Sequence, residues 1–404
     1  MAEMTIGERI KTRRVLAGLS VRRAADLAGI AHTTWSRIER GERGADNRIV
    51  LAHMATALRC SVPDLTGSAP GMPATPDEAR LAGHITALLS ALVETDLNDE
   101  ATVDAVPLDR LAHDASTMDE LRVSGDYAAV AARMPMYARQ LHAATVSAVS
   151  GPDRETGLRL TVLGSVLAGG ILREVGHRAE AYLAGERAHD AATALGDPVM
   201  LAAAARSRAA AAMGCGSMAR ARKLAIAGLA ELEGHMDLHG AKEVAGHLHL
   251  VTAMSSYGMT DHGTGDTHLA EAEALASSTG DTDTFRMYFG PTNLAFWRLA
   301  ITVDSGDARE AVRIARSTNA AAIGSVDRQG MFYLDTARAL ARIGTPDSDA
   351  AAVRMMLTAE RLTPQRIRAH PFARETLRQI VKRAKRSAID SKIRGLCERV
   401  GVTR

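Results

Sequence analysis

Residues 19–41 read LSVRRAADLAGIAHTTWSRIERG, and this stretch decides the first part of the fold. Ser20 is a good N-cap for a short helix, Val21 to Ala28. Gly29 and Ile30 make a tight turn, and a further short helix runs from about His32 to Arg40 and stops at Gly41. Working outward, Ile6, Ile10, Arg14 and Ala17 share one face of a preceding helix that Gly18 ends. On the other side, Asp46 or Asn47 can cap a fourth helix carrying Ile49, Leu51, Ala52, Ala55 and Leu58. Pro63, Asp64 and Leu65 start a last short turn.

A short helix with a polar start can enter the major groove of DNA. In that position His32, Thr33 and Ser36 or Arg37 face base edges, while Thr34 and the first amides of the helix hold phosphate. Arg22 and Arg23, at the start of the preceding helix, and Arg43 and Arg48, after the recognition helix, are candidate phosphate neutralisers. Ala24, Gly29, Ile30, Trp35, Ile38 and the closing I-E-R-G make residues 4–65 resemble the XRE, or phage-repressor-like, helix-turn-helix family, with its small lambda-repressor-like all-α domain. The resemblance implies an internal Arg14–Glu39 pair that fixes the recognition helix. It departs from the family at Val21, where relatives often carry Gln, and at Ala31, where many carry a capping Ser.

The whole chain has 404 residues, 46% hydrophobic and only 3% aromatic, with 75 alanines. That balance disfavours β folds and favours closely packed helices, so an all-α protein is expected. Three cysteines give no disulfide framework and suit a reducing, cytoplasmic setting. The charged start has no apolar signal segment, and no apolar run reads as membrane-spanning. The net charge of +2 is segregated. Residues 1–66 carry 11 basic against 7 acidic side chains, residues 361–404 carry 13 against 3, and the middle is acidic. Basic ends invite an anionic partner.

The segment TGSAPGMPATPD, with Pro70, Pro73 and Pro76, reads as an extended spacer. The expected organisation is a helix-turn-helix domain over 1–66, a linker over 67–77 and a helical domain over 78–404. Within the last, a glycine followed five residues later by alanine recurs at Gly176/Ala181, Gly216/Ala221, Gly265/Ala270 and Gly306/Ala311, in steps of 40, 49 and 41 residues. Gly125/Val130 and Gly344 are outlying members. This resembles tetratricopeptide repeats, an α-solenoid of helix pairs, with an ordinary helical bundle as the alternative. Nine of the 13 aromatics lie after residue 250, five of them between Phe285 and Trp297. Phe289, Asn293 and Trp297 recur on one helical face, and with Tyr257, Phe332 and Asp335 they form a candidate ligand pocket. Such stripes also serve as plain core.

A helix-turn-helix head on a tetratricopeptide-like body resembles peptide-sensing bacterial regulators. The resemblance implies a DNA-binding homodimer on a pseudo-palindromic operator, whose repeats sense a peptide, metabolite or protein partner. The alternative is a tetratricopeptide-type adaptor whose helix-turn-helix is a docking element. The basic ending, with Arg378, Lys382, Lys385 and Arg386, can meet DNA, a second protomer, solvent or the chain's own acids. No phosphate-binding loop, nucleophile elbow or metal-ligand set is present in the sequence. His235 and His239, four apart, would share a helical face without a third ligand. Neither an enzyme nor a cofactor is expected.

Overall fold

The computed structural model describes residues 4–67, 76–384 and 391–402. Among them are twenty-one α-helices and no strand. Contacts divide the chain into two compact units, one made of Met1–Ala69 with Ala295–Arg404, the other of Pro70–Leu294. Ala295–Arg404 is thus parted from the rest of the expected 78–404 domain and joins the head. Pro70 and Pro73 of the expected linker lie outside the described residues.

The head comprises α1 (Ile6–Leu16), α2 (Val21–Leu27), α3 (His32–Glu39), α4 (Arg48–Ala57) and α5 (Val62–Thr66). Local chemistry sets these boundaries. Thr5 and Glu8 form a reciprocal capping box on α1. Ser20 caps α2. Asn47, rather than Asp46, caps α4 by accepting from the Val50 amide at 2.9 Å. Left-handed Gly18, Gly29 and Gly41 close the first three helices. Ile6, Ile10, Ala24, Trp35, Ile38, Leu51, Met54 and Leu65 make the core. Ala17, expected on the inner face of α1, is exposed because it is already the C-cap.

The second unit is a run of helix pairs. Its members are α6 (Pro76–Glu94), α7 (Leu108–Val123), α8 (Tyr127–Ser147), α9 (Pro152–Glu174), α10 (Glu180–Leu195), α11 (Pro198–Gly214), α12 (Met218–Ala230), α13 (Ala241–Gly258) and α14 (His262–Thr279). From α7 onward each helix packs on the next one in the chain, and α7 on α9, α9 on α11 and α11 on α13 also touch. That is the contact pattern of a repeat, in which every unit buries its face only against near neighbours. The alanines explain how the helices come so close. In α11 alone, eight alanines are buried between α9, α10, α12 and α13.

The repeat turns lie where the glycine spacing placed them, with one exception. Gly125, Gly176 and Gly216 adopt positive φ at the turns α7–α8, α9–α10 and α11–α12. In α13–α14 the corresponding left-handed residue is Thr260, with φ 60°, and Asp261 caps α14. Gly265 sits inside α14, five residues later, in the small-residue position that Ala181 and Ala221 hold elsewhere. A Cβ there would come within 2.6 Å of the Tyr257 ring. Ala270, its expected partner, is exposed. The glycine signal was real, but at this repeat it marked the close approach instead of the turn.

His235 and His239 lie in the segment between α12 and α13, off any shared helical face. The helix α9 is long and apolar enough to cross a membrane, contrary to the sequence expectation. More than half of its apolar window is buried, which is the signature of a core helix.

The C-terminal helices are α15 (Pro291–Ser305), α16 (Ala308–Ser317), α17 (Val326–Ile343), α18 (Pro346–Leu362), α19 (Pro364–Ala369), α20 (Pro371–Arg383) and α21 (Ser391–Val400). Left-handed Gly306 and Gly344 turn α15 into α16 and α17 into α18. The basic ending folds back on acidic partners. Arg368 and Arg399 bind Glu360 at 2.8 and 2.6 Å, Arg366 pairs with Asp327, Arg378 lies 3.9 Å from Glu375, and Arg383 binds Asp349 at 2.7 Å. Lys382 donates to the Gly41 carbonyl at 2.8 Å. Lys385 and Arg386 of the expected stripe lie outside the described residues.

Candidate nucleic-acid interface

The orientation of α3 is set by a clamp beneath it. Arg14 of α1 donates through Nε and Nη2 to both carboxylate oxygens of Glu39, at 2.6 and 2.9 Å. Its Nη1 donates to the Leu19 carbonyl at 2.8 Å, and the Trp35 indole N–H donates to Glu39 Oε1 at 2.6 Å. Both members of the pair are largely shielded, so the interaction is bidentate, charge-assisted and weakly screened. The hydrogen bond from Glu39 raises the Arg14 pKa above its ordinary value although burial opposes it. The Arg14–Glu39 pair implied by resemblance is therefore present. The indole bond was not anticipated, although the i, i+4 spacing of Trp35 and Glu39 could have shown it.

With Trp35 and Ile38 turned inward, the other side of α3 is free. His32, Thr33 and Arg37 are exposed, and Thr34 and Ser36 are half-buried. Ala31 provides no side-chain cap, so the amides of the first turn keep their donors unclaimed by a cap. Arg22 and Arg23 are exposed at the start of α2. Arg43 donates to the Thr34 hydroxyl at 3.2 Å, which brings the loop after α3 to the start of the recognition helix. Among the described residues no carboxylate pairs with Arg22, Arg23, Arg37 or Arg43. Arg40, which the sequence reading passed over, donates to the Ser36 hydroxyl and pairs with Glu42 at 2.7 Å.

Arg48 is a correction. Its guanidinium binds Asp304 at 2.8 Å and Asp335 at 3.1 Å, so it is committed to carboxylates instead of phosphate. It belongs to a cluster centred on Arg338, whose side chain is 0% exposed. Arg338 binds Asp304 at 2.6 Å and Asp335 at 2.5 Å, and also donates to the Asp46 carbonyl. Asn47 Nδ2 donates to the Asp304 carbonyl at 2.6 Å, and Glu375 accepts from the Ala45 amide at 3.2 Å. Phe372 enters the head's apolar core and lies under the Arg338 guanidinium, 4.8 Å from its ring centre. Burial pushes the Asp304 carboxyl up, but Arg338, Arg48 and Arg342 outweigh it and hold the pKa down at about 2. Burial raises the Glu375 carboxyl.

The six residues expected to form a ligand pocket fall in two units, with Tyr257, Phe289 and Asn293 in one and Trp297, Phe332 and Asp335 in the other. Three are consumed by the fold. Phe289 is buried against Gly246, where a Cβ would come within 2.0 Å of its ring, and beside His247. Phe332 stacks on Phe296 with centroids 4.6 Å apart. Asp335 belongs to the arginine cluster. Asn293 is buried and Trp297 half-buried. The Tyr257 hydroxyl donates to Asp266, and burial together with that carboxylate pushes its pKa up to about 12.

No curated protein and no solved structure matches the chain. Residues 5–66, the span of α1–α5, match the helix-turn-helix domain family, and the N-terminal part of this chain is such a domain, a DNA-binding class.

Proposed function

We propose that this protein is a sequence-specific transcriptional regulator. One observation carries the reading: a clamped recognition helix presents polar residues outward, and the four arginines around it, Arg22, Arg23, Arg37 and Arg43, have no carboxylate partner among the described residues. His32, Thr33, Ser36 and Arg37 read base edges, while Thr34, Arg22, Arg23 and Arg43 hold phosphates. The protein acts in the cytoplasm as a homodimer on a pseudo-palindromic operator, with half-sites about one helical turn apart. The helix pairs of the acidic body serve as the sensor for a peptide, metabolite or protein partner, in the manner of tetratricopeptide-like regulators. We assign it no catalysis.

Genome-wide footprinting followed by band shifts on the recovered sites tests the reading. Arg37→Ala is expected to weaken specific binding by about 1–3 kcal/mol and to relax the preference at one base pair. Arg22→Ala is expected to weaken all sequences alike and to lower the salt slope by about one. If Arg37→Ala and Thr33→Ala bind the same sites with unchanged affinity, the recognition-helix assignment is wrong.

A further inference from the structure

The segment after α3, together with α17, α20 and the α15–α16 turn, encloses an open cavity of about 390 Å³. Every wall belongs to the unit formed by Met1–Ala69 and Ala295–Arg404. Five arginines line it, Arg37, Arg43, Arg338, Arg342 and Arg383, against the carboxylates of Glu42 and Asp46. Those two acids are already engaged. Glu42 pairs with Arg40 at 2.7 Å, and Asp46 with Arg342 at 3.2 Å. Arg383 is paired with Asp349, whereas among the described residues neither Arg37 nor Arg43 forms an ion pair, and Glu42, which lies near Arg37, is already bound to Arg40. The cavity therefore keeps an excess of positive charge in a partly shielded place.

A second observation points the same way. Thr376 of α20 lines the cavity and is 2% exposed, and its hydroxyl has no hydrogen-bond partner among the described residues. Buried helical threonines elsewhere in this chain bond the carbonyl four residues back, as Thr252 does to Leu248 and Thr336 to Phe332. A buried hydroxyl left unbonded beside a cluster of guanidinium groups calls for an external partner. The volume is that of a small-molecule site, and the walls are charged where a site for an apolar ligand would be aromatic or aliphatic. Guanidinium forks match phosphate oxygens in pairs.

We propose that this cavity binds a small phosphorylated molecule of the nucleotide or sugar-phosphate class, held by Arg37, Arg43 and Arg383 with the Thr376 hydroxyl donating to it. Because Arg37 and Arg43 are also the proposed DNA contacts, the ligand and DNA compete for them. That competition rests on the DNA-binding reading, whereas the ligand site does not. The same phosphate chemistry could come from the DNA backbone, and the experiment separates the two sources.

Full-length protein is titrated calorimetrically with pyrophosphate, ATP and uncharged adenosine at matched ionic strength, and DNA affinity is measured with and without pyrophosphate. Pyrophosphate and ATP are expected to bind at one per chain, and adenosine is not. Thr376→Val, which keeps the side-chain shape, and Arg383→Gln should each weaken the anion at least fivefold. Both should leave anion-free DNA affinity within twofold of the parent, and pyrophosphate should reduce DNA binding by the parent but not by either variant. Tryptophan fluorescence confirms that the variants are folded. Absence of anion binding at millimolar concentration, or folded variants that bind as the parent does, overturns the proposal. Loss of anion-free DNA affinity in Arg383→Gln assigns the cavity to a backbone phosphate and overturns the free-ligand source. If the protein binds no DNA at all, the regulator reading fails, and the calorimetry still decides the cavity.

Discussion

Replacing Asp304 with asparagine removes one charge from the cluster that joins the head to the C-terminal helices, while leaving the shape of the side chain. Asp304 is fully buried and accepts from Arg338 at 2.6 Å and from Arg48 at 2.8 Å. Its carboxyl is held down from 3.8 to about 2. That difference corresponds to roughly 2.5 kcal/mol of preference for the charged form. Removing one member of a buried pair costs about 3–5 kcal/mol, because the remaining charges lose their partner. At neutral pH Asp304→Asn is therefore expected to destabilise this unit by about 2.5–4 kcal/mol. The pH dependence carries a definite sign. A carboxyl whose folded pKa lies below its unfolded one stabilises the fold above the unfolded value, and that stability is lost as pH falls through the folded value. The gap between parent and variant should thus be widest at pH 7 and about half closed in its charge-dependent part by pH 3. Urea unfolding followed by tryptophan fluorescence reads this unit alone, because the chain's 2 tryptophans, Trp35 and Trp297, both belong to it. A gap below about 1 kcal/mol at pH 7, or one that does not change between pH 7 and pH 3, refutes the reasoning.

Glu39→Gln removes the charge that Arg14 pairs with and turns one of its two acceptor oxygens into an amide donor, and should cost about 2 kcal/mol in the same fluorescence assay and weaken DNA binding without altering the preferred sequence. Ala31→Ser supplies the missing cap of α3 at a residue whose backbone is already extended, and is expected to stabilise the head by about 0.5–1 kcal/mol, read as a higher urea midpoint. Gly246→Ala drives a methyl into the Phe289 ring and should destabilise the other unit by about 1–3 kcal/mol, seen as a lower circular-dichroism melting step with the tryptophan signal unmoved.

The head was legible because its determinants are local. Ser20, Gly29, Trp35 and Ile38 fall within twenty residues of one another, and spacing alone sorts them into cap, turn and core. The repeat turns were legible for the same reason, since a left-handed glycine before a capped helix is a short-range signal. Gly265 misled because glycine serves two purposes, as a turn residue and as a site of close approach, and the letters do not distinguish them. Arg48 and Asp335 were misassigned for a different reason. They meet across 287 positions, and each is an ordinary charged residue within its own window. Phe289 belongs with them. An aromatic beside a polar neighbour reads as a contact residue until Gly246, far back in the chain, shows the socket it fills. The basic ending is the case that changed most in meaning, because four of its arginines pair with Asp327, Asp349 and Glu360, and Lys382 bonds the head itself.

The sharing of one unit by both ends of the sequence has a consequence for how the protein is made. Residues 5–66 leave the ribosome well before the side chains that anchor them, Asp304, Arg338, Phe372 and Glu375. At about 5–20 residues per second the intervening stretch of about 240 residues takes roughly 12–50 s. Throughout that interval the nascent head must wait with Arg48 and Asp46 lacking their partners, while the whole chain segment of the body emerges before the unit that begins ahead of it is complete. Truncation near the C-terminus therefore damages the head.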